Sequence, residues 1–207
     1  MIGDRVAAVL EEARRRGLLG PGPVEVHIAH AGAFARVVAE LGPDARPGLD
    51  LGTGGGVPGL VLALAAPERS WALLDSRARS VEFVGWAIGE LDLSSRVTVV
   101  EGRAEEVGRD PRHRGRYGLV VARGFGPPGV TAECAAPLLD TAGHLVVSEP
   151  PKSTGERWPV GQLSALGLRW NRLASSPDAT FAVLDQAQPA PEAYPRRVGV
   201  PQKRPLF

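Results

Sequence analysis

A glycine-rich stretch between two apolar runs constrains this chain more than any other feature. It reads LDLGTGGGVPG from Leu49 to Gly59, and five of its last eight residues are glycine. The surrounding pattern is the order of a strand, a tight turn and a helix. Bare backbone at such a turn, beside a helix N-terminus, is typical of a site for a polar or anionic ligand.

Two acids near this stretch indicate the class of ligand. Asp50 lies at the carboxyl end of the predicted strand, where a carboxylate disfavours a pyrophosphate and favours a cationic group. Asp75 ends the next strand-like run, about twenty residues after the glycines, a spacing at which an acid binds both ribose hydroxyls. A ribose and a cationic group together describe S-adenosylmethionine, which we expect as the cofactor.

A dinucleotide site is an alternative that the glycines leave open. Gly54, Gly56 and Gly59 formally match the GxGxxG pattern of nicotinamide-dependent dehydrogenases, a pattern that is weak on its own. The same glycines are also compatible with a turn that binds no ligand. Their combination with Asp50 and Asp75 favours the methyl-donor site over both alternatives.

Composition narrows the class of protein. The chain has 207 residues, 43% hydrophobic and 23% charged, which suits one α/β domain with a short extension. The formal net charge of +1 does not by itself indicate nucleic-acid binding, and a single cysteine, Cys134, excludes an internal disulfide. With no membrane-length apolar run and no signal-peptide pattern, we expect a cytoplasmic protein. We also expect a monomer.

Two amphipathic helices are predicted ahead of the glycine stretch, over Asp4–Leu19 and Val24–Leu41. His27 and His30 lie three residues apart in the second helix. A metal site needs further ligands, and we find none in the sequence, so we expect no metal. Both histidines are therefore expected at the surface or at its boundary.

Strands and helices alternate from Gly48 onward, which predicts a mostly parallel seven-stranded sheet with helices on both faces. The predicted strands are Gly48–Leu51, Trp71–Asp75, Val97–Glu101, Tyr117–Ala122, His144–Ser148, Leu168–Ala174 and Thr180–Leu184. The predicted helices between them are Pro58–Ala66, Arg77–Leu91, a short turn at Ala104–Glu106, Val130–Leu139 and Val160–Leu166. The last two strands are joined only by SSPD, so they must form an antiparallel pair.

These elements suggest three parts: an N-terminal helical extension (1–46), a ligand-binding α/β domain (47–187) and a basic tail (188–207). The end of the tail, Tyr194 to Phe207, carries basic residues and no acid: Arg196, Arg197, Lys203 and Arg204. Its three prolines argue against a helix. The residues fit a solvated segment and a basic arm on RNA equally well.

Several motifs together resemble one family, the glucose-inhibited division protein B family, and the chain is identified as a divergent member of it. The motifs are LDLGTGGGVPG, LLDS at 73–76, GRAEE at 102–106, VARGF at 121–125 and YPRRVGVPQKRPL at 194–206. The family comprises bacterial methyltransferases that methylate N7 of a guanine in small-subunit (16S) ribosomal RNA. The resemblance implies a Rossmann-like class I methyltransferase fold, S-adenosylmethionine, and the small-subunit RNA or 30S particle as partner.

The resemblance also implies roles for individual residues. A turn for the methionine part of the donor would be formed by Gly52, Thr53, Gly54 and Gly56, beside Asp50. Asp75 would bind the ribose with Ser76 beside it, and Ala104 and Glu105 would border the adenine. The acceptor side would carry Arg123 as catalytic and substrate-binding residue, together with Phe125, Arg196, Arg197, Lys203 and Arg204.

The implied chemistry explains why no catalytic base is evident. N7 of guanine already has a free lone pair, so the enzyme need only align the reactants. Arg123 would orient guanine O6 or a phosphate, and the alternative is a structural ion pair with Asp50 or Glu105. Phe125 would stack a splayed base, and the alternative is a core position.

One departure keeps other acceptors open. The family normally has Lys-Gly after the fifth strand, whereas this chain has Glu149 followed by Pro150. An acid there weakens phosphate contact. A paralogous methyltransferase with a different RNA or small-molecule acceptor, and a non-catalytic RNA-binding module, therefore remain alternatives.

Overall fold

Seven strands form one sheet among the residues that the computed structural model describes, 2–177 and 179–207. The strands are β1 (Gly48–Leu51), β2 (Trp71–Asp75), β3 (Val97–Glu101), β4 (Tyr117–Ala122), β5 (Leu139–Glu149), β6 (Leu168–Ser175) and β7 (Thr180–Gln186). Their order is β3-β2-β1-β4-β5-β7-β6, and β7 runs antiparallel to both of its neighbours. The predicted sheet is confirmed; Asp178, in the predicted SSPD link, lies outside the described residues.

Helices cover both faces of the sheet. They are α1 (Ile2–Arg15), α2 (Val24–Glu40), α3 (Gly59–Ala65), α4 (Ala78–Glu90), α5 (Ala104–Val107), α6 (Pro128–Ala135), α7 (Val160–Ser164) and α8 (Val200–Lys203). A 3₁₀ turn follows α6 at Ala136–Leu138. Side chains of successive strand residues point to opposite faces, so Leu73 packs with α1 to α4 whereas Leu74 packs with α5 to α7.

The two N-terminal helices share the first of these cores. Leu10 of α1 and Phe34 of α2 are fully buried together with residues of α3 and α4. The prediction of a surface or boundary position is wrong for His27, which is 3% exposed because α2 packs this side onto the domain. His30 is half-buried, with its ring against Phe34 and Phe181. The division at residue 46 stays a prediction.

The bounds of β1 to β4 agree with the sequence prediction, but β5 begins five residues early, at Leu139. Its pairing with β4 shifts register between Tyr117 and Leu119, so the turn-like residues 140–143 belong to a bulged strand. Arg46 donates hydrogen bonds to the carbonyls of Thr141 and Ala142 in this bulge, at 3.1 and 3.2 Å. A contact made across 95 residues stabilises a strand that local sequence disfavours.

The tail also departs from its prediction. Its prolines argue against a helix, yet α8 forms one short turn with Pro201 in its first turn, where the missing N–H is not needed. The end of the chain packs on the domain as well. The Trp158 and Phe207 rings meet with centroids 6.4 Å apart.

Candidate functional site

A cavity of about 470 Å³ opens at the carboxyl ends of β1, β2 and β4. Its lining consists of Gly52, Leu74, Asp75, Ser76, Arg77, Gly102, Arg103, Ala104, Glu105, Gly124, Phe125, Val130, Cys134 and Gln202. β1 lies between β2 and β4, where the strand order reverses, and open α/β sheets bind ligands at such a point. Five of the predicted cofactor residues line the cavity: Gly52, Asp75, Ser76, Ala104 and Glu105.

Asp75 connects the glycine turn to the start of α4. Its Oδ2 accepts a hydrogen bond from the Gly54 backbone N–H, and its Oδ1 accepts one from the Arg77 backbone N–H, both at 2.9 Å. Arg77 Nε also lies 3.4 Å from Oδ1, so Oδ2 keeps a second lone pair for a further donor. The carboxylate is therefore held by the glycine turn and Arg77 and lines the cavity, which is an arrangement that can bind a ligand hydroxyl.

Asp50 lies behind the glycine turn and does not line the cavity. It is 1% exposed, and its Oδ2 accepts hydrogen bonds from the Thr53 hydroxyl at 2.8 Å and the Gly59 N–H at 2.9 Å. Burial raises the pKa of Asp50 to about 6, although the two hydrogen bonds oppose this shift. The expectation that Asp50 lies beside the crevice, open to a cation, is therefore wrong. Through these two hydrogen bonds the Asp50 carboxylate stabilises the shape of the turn. The Thr53 side chain therefore points to Asp50.

Two glycines of the turn are required for close packing rather than for a ligand. A Cβ on Gly59 would lie 2.7 Å from Asp50 Oδ2 and would also clash with Leu73. A Cβ on Gly55 would lie 2.9 Å from the Leu18 carbonyl oxygen, so the chain after α1 supports the turn from outside. Gly54 and Gly56 take the positive φ angles, 55° and 85°, that the turn needs.

Arg123 follows β4 and is paired with a histidine rather than with either acid considered from the sequence. Its Nη2 lies 2.8 Å from His27 Nδ1, and His27 Nε2 lies 3.2 Å from the Gly20 carbonyl oxygen. Since that carbonyl only accepts, His27 carries its proton on Nε2 and Nδ1 accepts from the guanidinium. Burial, reinforced by the positive charge of Arg123, lowers the pKa of His27 and keeps it neutral.

Glu105 joins the cavity to the tail. It is 4% exposed, and its Oε1 accepts hydrogen bonds from the Gly199 N–H at 2.9 Å and from Arg103 Nη2 at 3.3 Å. Burial alone would raise the pKa of Glu105, but these hydrogen bonds outweigh it and lower the pKa. Three residues beyond Gly199, Gln202 lines the cavity.

The predicted RNA-facing basic residues divide into two groups. Arg196 binds the fully buried Glu133 of α6: Nη2 lies 2.6 Å from Oε2, and Nε lies 2.8 Å from Oε1. Arg197, Lys203 and Arg204 are exposed. The guanidinium of Arg196 is thus engaged inside the protein, while the other three remain available to a partner.

The loop before β4, Arg109 to Arg116, carries four arginines and also holds the tail. Arg109 donates to the Pro195 carbonyl at 2.8 Å, and Arg114 donates to the Tyr194 carbonyl at 2.8 Å. Arg112 instead pairs with Asp110 in solvent at 2.6 Å. Two arginines of the loop are therefore structural.

Phe125 and Cys134 line the cavity without an evident reactive role. The Phe125 ring packs on the glycine turn, since a Cβ on Gly52 would lie 2.7 Å from its Cδ2. Burial raises the pKa of the Cys134 thiol, which makes it a poor nucleophile. Glu149 is engaged by the Ser153 hydroxyl at 2.6 Å and by Arg157 Nη1 at 3.2 Å.

The described part of the chain contains no helix long and apolar enough to cross a membrane. It also contains no group of three or more His, Cys, Asp or Glu side chains suited to a metal ion, within residues 2–177 and 179–207.

Sequence reasoning missed three residues that shape the site: Glu133, Gln202 and His27. A signal existed for two of them. Glu133 is an acid within an otherwise apolar helix, so its burial requires a cationic partner. His27 lies on the apolar stripe of α2 and thus faces inward. No local signal brings Gln202 to the cavity.

The profile of one protein family matches residues 14–154, and that family is GidB, rRNA small subunit methyltransferase G. Ribosomal RNA small subunit methyltransferase G of Deinococcus radiodurans is 42% identical over 166 residues, which cover 77% of this chain and 65% of that protein. The protein of the same name from Symbiobacterium thermophilum is 39% identical over 198 residues, covering 89% and 80%. The chain thus spans just under two thirds of the D. radiodurans relative.

Solved structures show the same fold at low sequence identity. A protein from Corynebacterium glutamicum superposes with a TM-score of 0.61 at 20% identity, covering 89% of this chain and 90% of that one. A putative sarcosine dimethylglycine methyltransferase from Galdieria sulphuraria gives 0.61 at 13% identity, covering 76% and 85%. These likenesses concern the fold alone, and they agree with the predicted class I methyltransferase architecture.

Proposed function

This chain belongs to the GidB family, rRNA small subunit methyltransferase G, and we propose on that basis that it methylates N7 of a guanine in 16S ribosomal RNA with S-adenosylmethionine as donor. The observation that carries the proposal is the cavity at the strand-order reversal, bordered by the glycine turn and Asp75. The small-subunit RNA or 30S particle is the proposed partner, in the bacterial cytoplasm.

The cavity fits the donor in size and in chemistry. Its volume of about 470 Å³ lies within the range of about 300–1,000 Å³ typical of ligand pockets. Asp75, with Ser76 beside it, is proposed to bind the ribose hydroxyls. The turn from Gly52 to Gly56, of which Gly52 lines the cavity, is proposed to hold the methionine part. Ala104 and Glu105 are proposed to border the adenine.

The chain's own residues have a positioning task. S-adenosylmethionine, when bound, supplies an electrophilic methyl group on a sulfonium centre. N7 of guanine offers its lone pair directly, so no side chain has to accept a proton from N7 before attack. Alignment of nucleophile and methyl group contributes roughly 7–11 kcal/mol in favourable cases.

Arg123 is the proposed catalytic residue on the acceptor side. A guanidinium donates to guanine O6 or to a phosphate, and contact at N7 itself would block attack. The neutral His27 accepts one N–H of Arg123, which fixes the guanidinium while its other N–H groups stay available. His27 is thus a positioning residue for Arg123. Phe125 stays a prediction as a base-stacking residue.

The exposed tail residues Arg197, Lys203 and Arg204 are proposed to contact RNA phosphates. Glu149 is compatible with this, because Ser153 and Arg157 bind its carboxylate and reduce its repulsion of phosphate.

We also propose that the chain is organised in three parts, 1–46, 47–187 and 188–207. We propose in addition that the protein is a monomer.

Transfer of labelled methyl from S-adenosylmethionine to small subunits lacking the modification tests the proposal. We expect label on a guanine N7 with wild-type protein and at least a hundredfold lower rate with Arg123→Ala. Folded protein that binds S-adenosylhomocysteine but transfers no label would refute the 16S acceptor and favour a different acceptor. Folded protein that binds no S-adenosylhomocysteine would refute the donor site itself.

A further inference from the structure

We infer that the segment 194–203, which we term the tail strap, forms the wall of the donor pocket at the purine end, so that donor binding and docking of the strap stabilise each other. The inference rests on the proposed function, because it takes the cavity to be the donor site. It assigns a donor-binding role to residues that the sequence suggested only as an RNA contact.

The strap reaches the cavity through two residues. Gln202 lines the cavity, as do Glu105 and Cys134. The Gly199 N–H donates to Glu105 Oε1 at 2.9 Å, so a residue proposed to border the adenine also holds the strap. Movement of the strap away from the domain therefore removes part of the lining and one hydrogen bond of Glu105 at the same time.

An ion pair in the interior anchors the strap. Glu133 is 0% exposed and accepts two side-chain hydrogen bonds from Arg196, at 2.8 and 2.6 Å, and a third from the Arg196 backbone N–H at 2.8 Å. A buried carboxylate without its cationic partner is strongly destabilising, so the pair favours the docked strap. Glu133 adjoins Cys134 in α6, and the anchor is therefore next to the cavity wall.

Backbone contacts hold the start of the strap. Arg109 and Arg114 donate to the carbonyls of Pro195 and Tyr194, each at 2.8 Å. Both arginines contact the strap through its backbone carbonyls. The strap is thus docked at its start, near its middle by Arg196 and Gly199, and at Gln202 beside the cavity.

The chemistry at this wall suits a purine. A carboxamide such as that of Gln202 offers both donors and an acceptor, which matches the adjacent amino group and ring nitrogen of adenine. The exposed Gln202 has no side-chain hydrogen bond among the described residues, so its amide is available to a ligand. By contrast, the exposed Arg197 does not line the cavity.

Hydrogen exchange of the full chain tests the coupling. Saturating S-adenosylhomocysteine at one hundred times its Kd can stabilise a binding-competent state by up to about a hundredfold. We expect exchange of the amides of Gly199, Val200, Gln202 and Lys203 to slow by tenfold or more under these conditions. The amides of α7 (Val160–Ser164), another short helix that does not line the cavity, serve as the control and are expected to change less than twofold.

Matched variants separate the strap residues that bind the domain from those that are exposed to solvent. We expect Arg196→Ala to weaken S-adenosylhomocysteine binding by tenfold or more in calorimetry, with partial recovery in Arg196→Lys. Arg197→Ala, one residue away and exposed, should leave the affinity within twofold of wild type. Should Arg196→Ala fail to fold, Gln202→Ala in the exposed part of the strap replaces it, with an expected three- to tenfold loss.

The outcomes distinguish this inference from the proposed function. If wild type binds S-adenosylhomocysteine and the strap amides exchange no more slowly, or if Gln202→Ala binds as wild type does, the strap is not part of the donor pocket. If folded wild type binds no S-adenosylhomocysteine at all, the donor assignment fails first. Slower strap exchange together with weaker binding by Gln202→Ala supports the inference.

Discussion

Two walls of one cavity are built in different ways. The glycine-turn wall arises from residues close in the sequence: Asp50 binds Thr53 and Gly59, and Asp75 binds Gly54 only 21 positions away. The strap wall joins Glu105 to Gly199 across 94 positions and Glu133 to Arg196 across 63. The first wall follows from a short motif, whereas the second exists only once the whole chain has folded.

Because the two walls are built differently, different substitutions are expected to disrupt them. The glycine-turn wall depends on bare backbone and on one buried acid, so added volume or altered charge damages it. The strap wall depends on an ion pair and on hydrogen bonds between distant segments, so the removal of a single partner releases it.

The largest effect is expected at the anchor of the strap. Arg196→Ala leaves Glu133 buried without a cation and should lower the free energy of unfolding by about 3–5 kcal/mol. Arg197→Ala removes an exposed charge and should change it by less than about 0.5 kcal/mol. Denaturant titrations of both variants check this. Equal effects of the two variants would contradict the view that Arg196 anchors the strap while Arg197 is only an exposed charge.

The next effect concerns Asp50 and pH. The unfolded carboxyl has a pKa of 3.8, and burial raises the native pKa to about 6, so the native state binds more protons between these values. The free energy of unfolding therefore falls as pH rises through this window. Asp50→Asn removes this dependence while its carbonyl can still accept from Thr53 and Gly59.

The matched measurement is unfolding of wild type and Asp50→Asn at pH 4 and pH 7. The difference between the two proteins should change by up to roughly 3 kcal/mol over this interval, in favour of the variant at pH 7. A difference that stays constant between the two pH values contradicts the account of Asp50 as a buried acid with a raised pKa.

A smaller effect is expected from added volume behind the glycine turn. Gly59→Ala places a methyl group against Leu73 and Asp50 and should cost roughly 1–3 kcal/mol. Gly85→Ala, in α4 with open space around it, should instead stabilise by roughly 0.5–1 kcal/mol. Thermal unfolding of the two variants checks this. A Gly59→Ala variant as stable as wild type would contradict close packing of Gly59 against Leu73 and Asp50.

The smallest effect is expected on the outer face of the strap. Replacing Arg197 and Lys203 by alanine removes two exposed cations and should lower the salt slope of RNA binding by roughly 0.7–0.9 for each phosphate that the variant no longer neutralises. S-adenosylhomocysteine affinity should stay unchanged for Arg197→Ala. Binding titrations at several salt concentrations measure the slope, and an unchanged slope argues against RNA binding by this face.

Much of the fold was predictable because it depends on local pattern. The bounds of β1 to β4 follow from short apolar runs that glycine, proline or charged residues interrupt. The start of β5 was not predictable, because residues 140–143 resemble a turn and Arg46 holds them in the strand from a distance.

The site divides in the same manner. Asp75 was predictable from its distance to the glycines, since the strand, turn and helix order fixes where that acid lies. The burial of Asp50, the His27–Arg123 pair and the Glu133–Arg196 pair depend on which distant segments meet, and local sequence carries no such information. Arg196 and Arg197 are identical in type and adjacent, yet only the fold distinguishes them.

The structure of the protein crystallised with S-adenosylhomocysteine tests the central claim most directly. We expect electron density for the nucleoside between the glycine turn and the strap, with the ribose hydroxyls on Asp75 and the adenine beside Ala104 and Gln202. Density for the ligand elsewhere on the protein, or ligand in this cavity without contact to Asp75, would contradict the account.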